Sequence, residues 1–280
     1  MKLLERIVDI LNLEAEEPIA FGGFHLFCTL LVVAISAFLC VKLRDCPDRV
    51  YRRIICAMFI VMFLFEVCKE TLLVMSTDTG KIVYEYDWNA FPFQLCSTPL
   101  YVLPLLAFLP DSPMRDAAAA YTMTFAFIGG VSVFLVPSSV FTPFVFKNVQ
   151  TMVHHGIQVI SGAFTAAHYR RRVDKRFYLL GAGMFSAFFL IANLLNTLGY
   201  DLLVRLGAFE EGFQFNMFYV SPRPDQTMPV LDDLFDLVSP ILFIMLYYLV
   251  LLLGAALVCY CVIRLNNLRE NTLGKRGKTV

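Results

Sequence analysis

The chain has 280 residues and equal numbers of basic and acidic side chains, 23 of each, so no net charge directs it toward nucleic acid or an acidic partner. Apolar residues make up 58% and charged residues 16%, with a mean hydropathy of +0.67. Soluble domains hold roughly half and a quarter, so a soluble globular chain is excluded and an integral membrane protein is indicated.

Residues 1–17 set Leu3, Leu4, Ile7, Ile10 and Leu11 at helical spacing among Glu5, Asp9, Glu14, Glu16 and Glu17. Acids at this density, without an apolar core, do not read as a cleaved leader, so targeting falls to the first spanning helix. Residues 1–21 are predicted to be an amphipathic surface segment, lying on the membrane or packed on the bundle. Seven apolar stretches follow, near 22–43, 54–75, 91–109, 117–136, 149–168, 177–199 and 235–263. Each approaches the ~20 residues that a helix needs to cross the hydrocarbon core, and none alternates with period two as a barrel strand would. The predicted fold is all-α, a polytopic bundle of seven transmembrane helices occupying residues 22–263. The third stretch is short and holds Pro99 and Pro104. Residues 200–234, with Ser221-Pro222-Arg223-Pro224 and Asp232-Asp233, are predicted as a lid over the outer face. Residues 264–280 form a basic tail that reads as disordered.

Lys and Arg placement sets the expected orientation. The links after the first, third and fifth stretches, together with the tail, hold 16 of the 23 basic residues, six lie on the opposite side, and Lys69 is inside a span. Basic residues concentrate in cytoplasmic loops, so the N-terminus is predicted outside and the C-terminus inside. The membrane is read as a bacterial plasma membrane, or as the endoplasmic reticulum in a eukaryote.

The eight cysteines, at 28, 40, 46, 56, 68, 96, 259 and 261, form no CxxC pair and no disulfide pattern. Neither a P-loop nor a GxSxG is present, and no cofactor or metal is implied. Charged groups within a membrane are costly and face the bundle interior, which makes each a functional candidate. The second stretch carries Glu66, Lys69 and Glu70 on one face; the third carries Gln94, Cys96, Ser97 and Thr98; the fifth, His154 and His155; the sixth, Asn193 and Asn196; Asp236 and Ser239 open the seventh. With the orientation above, most of these fall ~7–8 Å below the outer ends of their helices. A cysteine nucleophile needs a neighbouring imidazole to take its proton. Glu66 or Glu70 could orient that imidazole, and Lys69 or an amide could stabilise an oxyanion or hold a phosphate. On residue types alone, an inert membrane cysteine beside a structural ion network is the favoured reading.

In chain order, Glu66-Val-Cys-Lys69, Phe91-Pro-Phe-Gln-Leu-Cys96-Ser, Gly129-Gly130 with Pro137, His155, and Phe215-Asn216-Met-Phe-Tyr219 with Ser221-Pro222 form a pattern. Over about residues 50–265 it resembles the YwaF-like and TMEM164-like integral membrane proteins. The resemblance implies a seven-helix fold and, from the animal branch, transfer of fatty acyl chains between phospholipids through an acyl-cysteine. By position it implies Cys96 as nucleophile, His155 rather than His154 as base, and Glu66 and Lys69 as the intramembrane Glu-x-x-Lys pair. The chain departs from the pattern at Gln94, where many bacterial relatives carry histidine, and at His154, where the animal branch carries glutamine. Cys96, His155 and His154 are therefore the catalytic candidates. Glu66, Lys69, Glu70, Gln94, Asn193, Asn196 and Asn216 are the candidates for binding or orienting the substrate.

Four functions compete. A phospholipid acyltransferase uses Cys96, with phospholipids as its partners. A carrier or permease uses the Glu, Lys and His cluster, although no inverted repeat supports it. An opsin-like sensor needs a Schiff-base lysine in the last helix, and 235–263 contains none. A non-enzymatic subunit of a membrane complex needs no chemistry at all.

Overall fold

The computed structural model describes residues 2–71, 75–78, 81–84, 86, 88, 91–209, 213, 215–223 and 237–276. Their helices are α1 (Lys2–Leu11), α2 (Gly23–Leu43), α3 (Asp48–Thr71), α4 (Pro99–Phe108), α5 (Pro113–Leu135), α6 (Val145–Tyr169), α7 (Lys175–Arg205) and α8 (Pro240–Arg276). By length and composition α2, α5, α7 and α8 can cross a membrane. Among the remaining helices, α3 and α6 have 24 and 25 residues but carry the polar side chains. Two features depart from the all-helical expectation. A hairpin of β1 (Met75–Asp78) and β2 (Lys81–Tyr84) follows α3, antiparallel with Met75 opposite Tyr84. The third predicted span is helical only from Pro99 and has ten residues, or ~15 Å, half the hydrocarbon thickness. Proline lacks the backbone N–H and suits the first helical position, so Pro99 starts the helix. Gln94, Cys96, Ser97 and Thr98 consequently precede α4 in a turn that Ser97 and Thr98 close by donating their N–H groups to Gln94 O.

Helix α6 is the centre of the bundle. Small residues let its neighbours approach closely, as is usual where apolar solvent gives helices no hydrophobic reason to associate. A Cβ on Gly130 of α5 would sit 2.8 Å from His155 O, one on Gly162 2.9 Å from Thr122 O, and one on Gly156 2.8 Å from Val32 of α2. On the other side of α5, the buried run Ala117–Ala120 meets α7 at Gly181, where an added Cβ would lie 2.7 Å from Ala120 Cβ. Stacked Phe125 and Phe185, ring centroids 4.2 Å apart, fill the space between these helices.

Helix α1 packs on the hairpin rather than lying free. Val8 is buried, Asn12 Nδ2 donates to Met75 O, and the segment after α1 bonds to residues 143–145 through Ala15 N and Val145 N. Leu3 and Ile10 remain exposed. At the opposite end, the basic links are tied by ion pairs. Arg115, with its side chain buried, reaches Asp48; Arg172 reaches Asp111 at 2.6 Å; Arg170 reaches Asp45.

Candidate functional site

The end of α3 supplies the charged part of the site. Lys69 Nζ lies 2.7 Å from Glu66 Oε1 and 3.1 Å from Glu70 Oε1, and the Tyr86 hydroxyl donates to Glu70 Oε2 at 2.6 Å. Glu66 is buried. Helical spacing of three and four residues puts these three side chains on one face, as the sequence predicts. Helix α6 adds His154, whose Nε2 is 3.0 Å from Met62 O and 3.6 Å from Glu66 Oε2. His155 Nδ1 is 2.8 Å from Thr151 O one turn earlier.

These bonds fix the tautomers. A carbonyl oxygen only accepts, so the bonded nitrogen of each neutral imidazole carries the proton. His154 therefore donates from Nε2 and keeps its lone pair on Nδ1. His155 donates from Nδ1 and keeps the basic lone pair on Nε2. Among the described residues, neither ring hydrogen-bonds the Cys96 thiol.

Cys96 is partly buried in the turn before α4. Its carbonyl accepts from Nε2 of Gln158, a fully buried residue of α6 one turn below the two histidines. Gln158 Oε1 is buried with no hydrogen-bond partner. Lys69 and Glu66 lie within electrostatic reach of the thiol, as do the hydroxyls of Tyr121, Tyr219 and Tyr247. Thr98 shares a 2.6 Å hydrogen bond with Tyr121 and thereby ties the cysteine turn to α5.

A second segment closes over this turn. Gln94 donates from Nε2 to Asn216 O and accepts at Oε1 from Phe218 N, both at 2.9 Å. Asn196 donates to Met217 O at 2.9 Å and accepts from Met217 N at 2.7 Å. Two side-chain amides thus clamp consecutive peptide groups as a neighbouring strand would. Asn196 reaches them from the π-helical turn Leu195–Gly199 of α7, a helix defect that recurs at functional sites. Asn216 Oδ1 accepts from Ser221 N and closes the turn internally. Between the clamps, Phe218 and Tyr219 hold φ of 59° and 58°. Left-handed backbone at two adjacent aromatic residues costs of order 1–3 kcal/mol each and persists only where surrounding contacts impose it. Phe218 is fully buried. Arg223 anchors the segment's far end, with its guanidinium 3.5 Å from the Tyr200 ring centroid and 3.1 Å from Asp201.

Residues 20–264 match the profile of the TMEM164 family. The chain belongs to the TMEM164 family. Neither a curated protein nor a solved structure matches it.

In this TMEM164-family chain the residues singled out fall into two groups. Glu66, Lys69, Glu70 and His154 make one network at the end of α3. Gln94, Asn196 and Asn216 make the other, around residues 216–221. Cys96 lies within electrostatic reach of Lys69 and Glu66, and its carbonyl bonds Gln158, one turn from His155. Asn193 does not join them: its amide donates to Phe189 O of its own helix, and it borders a shallow groove between α7 and α8. Asp236, Asp232, Asp233 and Pro224 lie outside the described residues. The predicted lid is in part a packed element, since Phe215, Met217, Phe218 and Val220 are buried. Gln158, Tyr121 and Tyr247 escape the sequence reading, because one glutamine or tyrosine in an apolar helix has no spacing signal. No group of three or more His, Cys, Asp or Glu suited to a metal occurs among the described residues.

Proposed function

We propose that this protein is a membrane phospholipid acyltransferase or transacylase that works through an acyl-cysteine at Cys96. The observation carrying this reading is the support given to the Cys96 turn: buried Gln158 bonds its carbonyl, and Gln94 ties it to residues 216–218, a segment that Asn196 clamps in turn. Reactive side chains must be held within a fraction of an ångström, which requires supports of this kind. His155, with its unbonded Nε2, is the base. Its distance from the thiol closes when substrate binds, as catalytic hydrogen bonds often do. Lys69 stabilises the oxyanion or the lipid phosphate, and Glu66 pairs with its ammonium and holds it in place. In this reading all seven hydrophobic segments are set in the membrane, N-terminus outside, and the site opens toward the outer leaflet at the depth of an ester bond.

A carrier is the second reading, favoured by the Glu66, Lys69, Glu70 and His154 network, since buried ionisable groups line solute and proton paths. One experiment separates the two. Lipid mass spectrometry after expression of Cys96→Ser should find remodelling reduced ~10²-fold or more, and His155→Gln should trap a hydroxylamine-sensitive acyl group on Cys96 if release slows more than attack. Full remodelling by Cys96→Ser, with loss confined to Glu66→Gln and Lys69→Met, would overturn the acyl-cysteine and favour the carrier.

A further inference from the structure

A large groove lies on the far face of α6, away from Cys96. Helices α2 and α3 both lean on α6 and barely meet each other, leaving a groove of about 720 Å³ between them. Leu31 and Ile35 form one wall, Ala57 and Val61 the other, and Val153 and Gly156 the floor. No lining side chain carries nitrogen or oxygen. Gly156 and Gln158 point ~160° apart around the helix, so the groove and the Cys96 turn share no wall.

Along α2 the groove runs from Phe24 to Leu39, ~22 Å at 1.5 Å per residue. This length and the wholly apolar lining suit a hydrocarbon chain laid along the helix.

Charge marks one end. Leu39 and Ile54, which line the groove, adjoin the basic link between α2 and α3. In that link Asp45 pairs with Arg44 and Arg170, and Asp48 pairs with Arg52 and Arg115. Lys42, three residues beyond Leu39, and Arg53, next to Ile54, are exposed and have no ion-pair partner among the described residues. Cations at a membrane surface draw anionic head groups.

We propose that this groove holds one acyl chain of an anionic phospholipid, with the lipid phosphate between Lys42 and Arg53. The site is separate from Cys96 and does not depend on acyl transfer. Native mass spectrometry of the full chain, released from nanodiscs of dioleoyl phosphatidylglycerol or dioleoyl phosphatidylcholine, tests it. Wild type should retain one phosphatidylglycerol in preference to phosphatidylcholine. Lys42→Gln with Arg53→Gln should reduce that preference roughly 30-fold, and Ala57→Phe should remove both lipids. Should Ala57→Phe not fold, Cys28→Phe on the opposite wall carries the same expectation, and the charge variant alone remains decisive for the head group. Equal retention of the two lipids, a preference unchanged in the charge variant, or a dimer that the fillers dissociate would each overturn the proposal.

Discussion

At Gly130 the approach of α5 to α6 leaves no space for a side chain. The atoms an added Cβ would meet at 2.8 Å include a backbone carbonyl, that of His155, which cannot rotate aside. Gly130→Ala should therefore lower stability by about 1–3 kcal/mol and shift the turn bearing His155 and Gln158. Gly183→Ala, with nothing within 4 Å, should be neutral or slightly stabilising. Thermal unfolding in detergent compares them, and equal effects would refute the close-packing argument. Asn196 offers a sharper test, because its two bonds differ in direction. Asn196→Leu strands the Met217 N–H and carbonyl and should cost about 2–4 kcal/mol. Asn196→Asp, when ionised, sets an acceptor against the Met217 carbonyl and, when protonated, donates to it again, so limited proteolysis around residue 217 should be faster than wild type at pH 8 and should slow as pH falls.

Among the elements, α3, α5 and α6 are joined at their basic ends by carboxylate–guanidinium pairs. Hydrogen bonding from Arg172 holds the Asp111 carboxyl below the usual carboxylate range, and Arg170 does the same for Asp45. A carboxylate whose folded pKa is depressed adds stability above its unfolded pKa, ~3.9, and that stability is lost as pH falls through the folded value. The unfolding temperature should thus be insensitive to these groups from pH 8 to 5 and should fall below about pH 4. The steepness of that fall should lessen in Asp111→Asn. Asp48→Asn should act at neutral pH, because it removes the anionic partner of the buried Arg115 side chain; the loss should be about 1–3 kcal/mol, read by the same melts.

At the scale of the whole molecule, the proposed seven spans with the N-terminus outside fix which links face each side of the bilayer. Single cysteines placed at 81 and 147 in a cysteine-free background should be labelled from outside, and those at 171 and 275 only from inside. Labelling of 81 and 171 from one side would eliminate the seven-span arrangement. α3 and α6 look marginal by hydropathy because the polar residues of each face the other, as His154 faces Met62 and Glu66, and Thr165 bonds Tyr51.

Composition and apolar run length were enough to define a helical membrane protein and the position of most helices, because a ~30 Å hydrocarbon core imposes its thickness on any spanning sequence. Three- and four-residue spacing was likewise enough to unite Glu66, Lys69 and Glu70. The start of α4 at Pro99, the hairpin after α3, and the separation of Asn193 from Asn196 were decided by tertiary structure. So was the tautomer that leaves His155 basic at Nε2, because it depends on which carbonyl the other nitrogen meets. The amide clamps joining Gln94 and Asn196 to residues 216–218 are contacts across 122 and 21 residues of chain. No local pattern encodes such pairs: they exist only where packing brings a side-chain amide against a peptide group that no helix or strand has satisfied.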